Sequence, residues 1–331
     1  MARRLLLDSS SLMYRAFFAL PDSIRDGKGR PVNAIHGYLD MTARLIRSRE
    51  PDEVVHCYDD DWRPAPRVAA FQGYKATRAV DPEGLPEQFE MLGQVLDALG
   101  MPQAAAPGWE AEDAIGTMCA RVGRRDRIDI VTGDRDLVQL VRDPSVRVLF
   151  TRKGVSELDV LDEAAVQERF GVPASRYAEY ATLRGDPSDE LPGVPGVGEK
   201  TARALIAAYP SLDALVQDAA SNHRTAPILR RSPALRARIR SAATYLEAMR
   251  EVVPIRTDLE LREWGGKRDD RKVDRLAERF SLTGPLRRLR EALDGEGQRS
   301  GGPARGTAPG RSSRRRSRPG TRTPRDAGPA R

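Results

Sequence analysis

Short apolar segments followed by an acidic residue recur along the first half of this chain of 331 residues. Arg4–Asp8 and Glu53–Asp59 end in aspartate, and Asp134 follows the apolar segment Arg127–Val131. Each segment has the length and composition of a buried strand in a parallel sheet. Apolar residues at helical spacing lie between them, as at Leu85–Leu99. Strands that alternate with helices predict an α/β fold with a mostly parallel sheet.

Acidic residues also occur in three clusters, Glu110-Ala-Glu-Asp113, Gly133-Asp-Arg-Asp136 and Asp186-Pro-Ser-Asp189. In a parallel sheet, functional side chains gather beyond the carboxyl ends of the strands, so these carboxylates are expected to converge. Converging carboxylates repel one another unless a cation compensates them, and oxygen-rich, histidine-poor sets suit Mg²⁺ or Mn²⁺ better than Zn²⁺. Each acid alone is equally consistent with a helix or turn cap. The candidate metal ligands are Asp8, Asp59, Glu110, Glu112, Asp113, Asp134, Asp136, Asp186 and Asp189.

A glycine-rich turn, Leu191-Pro-Gly-Val-Pro-Gly-Val-Gly-Glu-Lys200, follows the last acidic cluster directly. Its glycines let the backbone approach a phosphate closely, and the start of the next helix supplies partial positive charge. This pattern predicts a helix-hairpin-helix that binds the backbone of duplex DNA without reading bases. A tight turn without a ligand is the alternative. The candidate DNA contacts in the turn are Gly193, Val194, Gly196, Val197, Gly198 and Lys200.

The net charge of +7 is distributed unevenly. Residues 295–331 contain ten arginines and two acidic residues, a balance of +8, so the preceding 294 residues carry −1. The composition of residues 295–331 predicts a disordered basic tail that adds salt-sensitive affinity for nucleic acid, or a solvated tail without a dedicated role. No apolar run reaches the length of about 18–20 residues that spans a membrane. Cys57 and Cys119 lie in apolar segments, which predicts buried free thiols and a cytoplasmic location.

Several stretches carry a resemblance to a known family. They are Leu6-Leu-Asp-Ser with Tyr14, Arg15 and Phe17; Gly73-Tyr-Lys75; Gly108-Trp-Glu-Ala-Glu-Asp113; Thr132-Gly-Asp-Arg-Asp-Leu137; and Gly185 to Ala202. In this order the chain resembles the 5′→3′ exonuclease and flap endonuclease family, particularly the amino-terminal nuclease domain of bacterial DNA polymerase I. The resemblance extends from residue 3 to about 290 and implies a standalone form of that nuclease.

The resemblance implies a PIN-like catalytic domain at residues 1–170, with an arch at about 60–84, and a helix-hairpin-helix (helix-three-turn-helix) domain at 171–294. It also implies two or more Mg²⁺ ions, for which Mn²⁺ can substitute, and a K⁺ ion at the helix-hairpin-helix. Two departures from the family pattern are Glu112, where aspartate is usual, and Pro66, where an aromatic residue is expected. The residues matched to the scissile phosphate and the arch are Tyr14, Arg15, Arg67, Tyr74, Lys75 and Arg78.

Lysine is rare in this chain, which has 49 arginines and six lysines, yet Lys75 and Lys200 both occur in the matched motifs. Lys75 and Arg67 are expected to stabilise charge on the transferring phosphate. The predicted function is a monomeric, structure-specific 5′→3′ DNA exonuclease and 5′-flap endonuclease that uses two-metal catalysis in Okazaki-fragment processing and repair. Two alternatives stay open: a catalytically silent module that binds branched DNA, and a PIN-type ribonuclease.

Overall fold

The structure is a computed structural model that describes residues 2–123, 125–221 and 226–297, with side chains to residue 295. The predicted basic tail lies outside the described residues apart from its first three positions. Among the described residues, no helix combines the length and the apolar character needed to cross a bilayer.

A seven-stranded sheet forms the centre of the described structure. Its strands are β1 Arg3–Asp8, β2 Glu53–Tyr58, β3 Gln103–Ala105, β4 Arg127–Thr132, β5 Val146–Arg152, β6 Gly154–Leu161 and β7 Arg262–Trp264. Their spatial order is β6-β5-β4-β1-β2-β3-β7. The five central strands are parallel, while β6 and β7 pair antiparallel at the two edges. The predicted mostly parallel sheet is confirmed.

Helices cover both faces of this sheet. They are α1 Ser9–Ala19, α2 Asn33–Arg49, α3 Ala65–Ala70, α4 Leu85–Leu99, α5 Ala111–Ala120, α6 Glu163–Phe170, α7 Tyr177–Arg184, α8 Glu199–Ala208, α9 Leu212–Ala220, α10 Pro227–Arg230, α11 Pro233–Ser241, α12 Ala243–Val252, α13 Asp270–Arg279 and α14 Thr283–Gly297. Short 3₁₀ turns occur at Asp136–Leu140, Ala174–Arg176 and Pro187–Asp189.

Strand β1 shows why the sheet is buried on both sides. Leu5 and Leu7 belong to one apolar core, which also contains residues of α1, α2, α4, α13 and α14. Leu6 belongs to a second core on the opposite face, which contains residues of α5 and of the helices α6–α12. Side chains of a strand alternate between faces, so a continuous apolar run can fill two cores. The carboxyl ends of β1, β2 and β4 therefore meet at one edge, with covered faces on either side.

The chain is helical from α6 to α12 and then returns to the sheet. Strand β7 pairs with β3, and α13 and α14 pack against α4 and α2. Val273, Leu276 and Leu286 of these last helices belong to the same apolar core as Leu5 and Leu7 of β1. The domain boundary near residue 171 stays a prediction.

Candidate active site

A cavity of about 1050 Å³ opens at the carboxyl edge of the parallel strands. Six sequence-predicted acids from five separate segments line it, and so does Asp40 of α2, which was not predicted. The six are Asp8, Asp59, Glu110, Glu112, Asp134 and Asp186. The remaining predicted ligands, Asp113, Asp136 and Asp189, lie beside it without lining it.

Asp8 ends β1 and lies at the centre of this edge, where 7% of its surface is exposed. Its Oδ1 accepts the backbone N–H of Ser11 at 3.1 Å and so caps α1, while its Oδ2 accepts the hydroxyl of Thr132 at 2.6 Å. Burial raises the pKa of Asp8 to about 7, against the lowering effect of the Thr132 hydrogen bond. Asp8 therefore caps a helix and also lies among the converging acids, so the two expectations do not exclude each other.

The acidic cluster at the start of α5 is the densest in the described part of the chain. One carboxylate oxygen from each of Glu110, Glu112 and Asp113 lies within 4.8 Å of the others. Burial raises the pKa of Glu112 and Asp113. Several buried carboxylate oxygens at this spacing match the ligands of a hard divalent cation, which would favour their charged form.

A second acidic group lies where β4 ends and the 3₁₀ turn Pro187–Asp189 begins. Its members are Asp134, Asp136, Asp186 and Asp189. Burial raises the pKa of Asp189 to about 6. Burial and the charge of Asp134 together raise the pKa of Asp136 well above its usual range. Oδ1 of Asp136 is buried and has no hydrogen-bond partner in the described structure. A buried carboxylate oxygen without a donor is a position that a cation or its bound water can satisfy. This group also fits a divalent metal.

Lys75 brings a positive charge to the cavity wall, as expected from its motif. Its Nζ contacts Glu110 and lies 3.6 Å from a carboxylate oxygen of Asp189. Burial alone would lower its pKa, but the charges of Glu110 and Asp189 raise the pKa above the usual lysine value. Lys75 is therefore a fixed cation at the edge of the acid groups.

Arg67 differs from its expected position near a scissile phosphate. Its side chain is completely buried, does not line the cavity, and contacts Glu110, Glu112 and Asp113. Tyr74 is also buried, and its hydroxyl donates to Oε2 of Glu110 at 2.6 Å. Both side chains hold carboxylates from behind and present no surface to DNA.

Tyr14, Arg15 and Arg78 do line the cavity. The hydroxyl of Tyr14 donates to Asp81, which connects α1 to the arch. Arg15 packs over Gly133, where a Cβ atom would lie 2.6 Å from its Nη2, so a larger residue there would displace the end of the Arg15 side chain. Nε of Arg15 is buried without a partner in the described residues, although Nη1 donates to the backbone.

The glycine turn lies outside the cavity. Gly196, Gly198 and Lys200 are exposed and are able to meet a ligand. Val194 and Val197 are buried in the core, so their side chains support the turn from inside, and a contact of their backbone with DNA stays a prediction. Gly193, with φ of +67°, is buried too, and a Cβ there would lie 2.5 Å from the Arg184 carbonyl.

Several polar residues in or beside the cavity went unpredicted from the sequence. Thr132 supports Asp8, Arg135 lies 3.5 Å from Asp186, and Arg152 and Lys153 form the turn between β5 and β6 at the cavity wall. Thr132 and Arg135 occur within the Thr-Gly-Asp-Arg-Asp motif, so their position beside two aspartates was a usable signal. Arg152 and Lys153 carry no such pattern.

Comparison with known proteins shows which family this chain is related to. Residues 3–171 match the family described as "5'-3' exonuclease, N-terminal resolvase-like domain", and residues 172–270 match "5'-3' exonuclease, C-terminal SAM fold". The chain belongs to the 5′-3′ exonuclease family. It is thus a nuclease with a resolvase-like, PIN-type α/β part followed by a helical part, and the sequence-based resemblance and fold class are confirmed.

Two relatives in sequence and one solved structure illustrate the match. A 5'-3' exonuclease of Streptomyces coelicolor is 44% identical over 306 residues, which cover 87% of this chain and 99% of the relative. DNA polymerase I of Mycobacterium bovis is 43% identical over 216 residues, 65% of this chain and 24% of the polymerase. The bacteriophage T5 D15 flap endonuclease, in a complex with DNA and metal ions, superimposes with a TM-score of 0.59 at 16% identity, covering 89% of this chain and all of the T5 chain, which shows a shared fold.

Proposed function

We propose that this nuclease hydrolyses phosphodiester bonds at 5′ ends and 5′ flaps joined to duplex DNA. The observation that supports this most is the convergence of acids from five segments at one cavity, with Lys75 at its wall. The flap substrate is that of the T5 relative, whose structure holds DNA and metal ions. Okazaki-fragment processing and DNA repair are the proposed cellular roles.

The proposed metal is Mg²⁺, with Mn²⁺ as a substitute, and two or more ions would be held. Glu110, Glu112 and Asp59 would supply one set of ligands, and a second set would come from the other acidic group, namely Asp134, Asp136, Asp186 and Asp189. When bound, such ions activate water and stabilise the leaving oxygen in an in-line displacement. Asp8 lies between the two sets. Its Oδ2 accepts one hydrogen bond from Thr132 and would orient a water molecule with its second lone pair.

Lys75 is the proposed cation for the transferring phosphate. It is 7% exposed, lines the cavity and keeps its charge across the physiological range, because Glu110 and Asp189 raise its pKa. A preorganised charge near the developing negative charge contributes to rate without further reorganisation. Arg15 and Arg78, also at the cavity wall, are proposed to hold the neighbouring phosphates.

The glycine turn before α8 is proposed to anchor the duplex arm. Gly198 begins α8 without a side-chain cap, and space around its missing Cβ is open to 4 Å. Exposed N–H groups at this helix start suit a phosphate of the DNA backbone. A K⁺ ion at the same turn, a monomeric state and a domain division at 1–170 and 171–294 remain parts of the proposal. Cys57 and Cys119 are buried free thiols, which supports a reducing, cytoplasmic location.

The test is cleavage of a 5′-labelled flap duplex in Mg²⁺ and in EDTA, alongside an RNA flap of the same geometry. We expect release of the DNA flap only with metal, and slower cleavage of the RNA flap. Binding of the branched DNA without cleavage in either condition would favour the silent DNA-binding module. Faster cleavage of the RNA flap would favour a ribonuclease.

A further inference from the structure

Arg67 is the largest charged side chain without exposed surface in the described structure. Its Nη1 contacts Glu110 and lies 3.0 Å from Oδ2 of Asp113, and its Nη2 lies 2.8 Å from Oδ1 of the same carboxylate. Nη1 also lies 3.1 Å from Glu112. The two ends of the guanidinium therefore form a bidentate pair with Asp113 and reach the other two acids of the cluster.

Asp113 has no acceptor position left for another ligand. Besides the two Arg67 bonds, Oδ1 accepts the backbone N–H of Arg256 at 2.9 Å, and Oδ2 accepts that of Glu110 at 3.3 Å. A carboxylate offers about four lone-pair positions, and four donors occupy them here. Asp113 is also completely buried, whereas Glu112 reaches the cavity.

We propose that Arg67 and Asp113 form a permanent ion pair that positions Glu110 and Glu112, and that neither residue binds metal or DNA. Arg67 is then a positioning residue, and the metal ligands of the α5 cluster are the two glutamates. The part of this inference that concerns metal rests on the proposed function.

The contacts of Arg67 explain why a guanidinium occupies this position. Arg67 belongs to α3 at the base of the arch, Asp113 to α5, and Arg256 to the loop after α12, so the pair connects three parts of the chain. Nη2 of Arg67 also lies 3.5 Å from the carbonyl of Pro254. Guanidinium stays protonated in proteins and its planar fork matches a carboxylate, so Arg67 keeps its charge and its two-point contact where a lysine would offer one.

Charge compensation is the second consequence of this pair. Glu110, Glu112 and Asp113 bring three carboxylates together, and Arg67 supplies a cation that is present before any metal binds. Without Arg67 the metal-free cluster would carry uncompensated buried charge, whereas a divalent ion could replace the missing charge. Loss of Arg67 should therefore weaken the metal-free fold and strengthen metal binding.

The first arm of the test measures unfolding of the full chain in EDTA. Arg67→Met should lower the folding equilibrium constant by about 10²–10³, because one partner of a buried pair is left alone. The double variant Arg67→Met/Asp113→Asn should recover most of that loss. The control is Arg63→Met. Arg63 donates to the backbone oxygens of Gln72 and Tyr74 in the same arch. Its replacement should lower the folding equilibrium constant by only about tenfold.

The second arm measures Mg²⁺ affinity by calorimetry in the absence of DNA. Arg67→Met should tighten Mg²⁺ binding by about tenfold or more, and Arg67→Lys, which keeps the charge, should stay within about threefold of the natural protein. The double variant should also stay within about threefold, because the local charge is unchanged and no ligand is lost.

Three results would overturn the inference. They are a metal-free stability of Arg67→Met equal to that of the natural protein, a double variant that fails to fold, and a double variant whose Mg²⁺ affinity falls more than about tenfold. The last would make Asp113 a ligand. If none of the proteins, including the natural one, binds Mg²⁺, then the proposed function fails, while the stability arm still decides the role of the ion pair.

Discussion

Replacing Asp8 with asparagine should stabilise the metal-free protein at neutral pH, although it removes a buried acid that caps α1. Burial, with a smaller contribution from the charge of Asp59, raises the pKa of this carboxyl from 3.8 to about 7, against the lowering effect of the hydrogen bond from Thr132. The folded protein therefore retains a proton there between about pH 4 and 7 that the unfolded chain has released. Stability falls with rising pH wherever the folded state binds more protons.

The magnitude follows from the size of this rise. At roughly 1.4 kcal/mol for each pH unit, a change from 3.8 to about 7 corresponds to about 4 kcal/mol of lost stability above pH 7. Asp8→Asn has no such loss, so its free energy of unfolding relative to the natural protein should rise by up to about 4 kcal/mol from pH 4 to pH 8. Burial lowers the pKa of His56 to about 3 and gives the opposite slope, but this contribution is the same in both proteins and cancels.

The assay is urea unfolding in EDTA at several pH values. A useful control is Asp26→Asn, because Asp26 is buried as well but has an opposite shift. Although burial raises its pKa, hydrogen bonds from Arg30 and from the backbone of Lys28 bring the pKa below its usual value. Asp26→Asn should therefore be less stable than the natural protein by an amount that is complete at about pH 4, stays constant up to about pH 8 and shrinks only at lower pH. A pH-independent difference for Asp8→Asn, or a less stable variant at pH 8, would refute the reasoning.

Two further predictions separate anchoring from chemistry. Gly198→Ala should keep its thermal stability within a few degrees of the natural protein, because the added Cβ enters open space. It should weaken binding of a duplex arm, measured by fluorescence anisotropy. Gly193→Ala should instead lose stability, since its Cβ would meet backbone. Unchanged duplex affinity in Gly198→Ala would remove the turn as the anchor. Lys75→Met should slow single-turnover flap cleavage by about 10²–10³ with little change in DNA affinity; weaker binding at an unchanged rate would reassign Lys75 to a simple backbone contact.

The central strands could be predicted from sequence because they are buried on both faces. Leu5, Leu6 and Leu7 form an uninterrupted apolar run for that reason. The edge strands β6 and β7 gave no such signal. In β6 most positions between Val155 and Leu161 are partly or fully exposed, and β7 has only three residues, two of them exposed. Their pairing depends on the sheet already being formed, which local sequence does not encode.

The acids of the site could be predicted because a residue after a parallel strand has only one edge to occupy. The direction in which a side chain of a motif points could not be predicted in the same way. Arg67 and Lys75 both lie in the arch segment, yet Lys75 points to the cavity and Arg67 is enclosed by α5 and the loop after α12. The same holds for Val194 and Val197, whose motif predicts a DNA contact while their apolar side chains fill the core.

The most direct test of the metal centre is a crystal structure of the protein with Mn²⁺, from anomalous diffraction. We expect anomalous peaks inside the cavity, one in contact with Glu110 and Glu112 and another beside Asp134 and Asp186. We also expect no peak within bonding distance of Asp113. Crystals soaked at Mn²⁺ concentrations that support flap cleavage, yet without any peak in the cavity, would contradict the claim that these converging acids hold the catalytic metal.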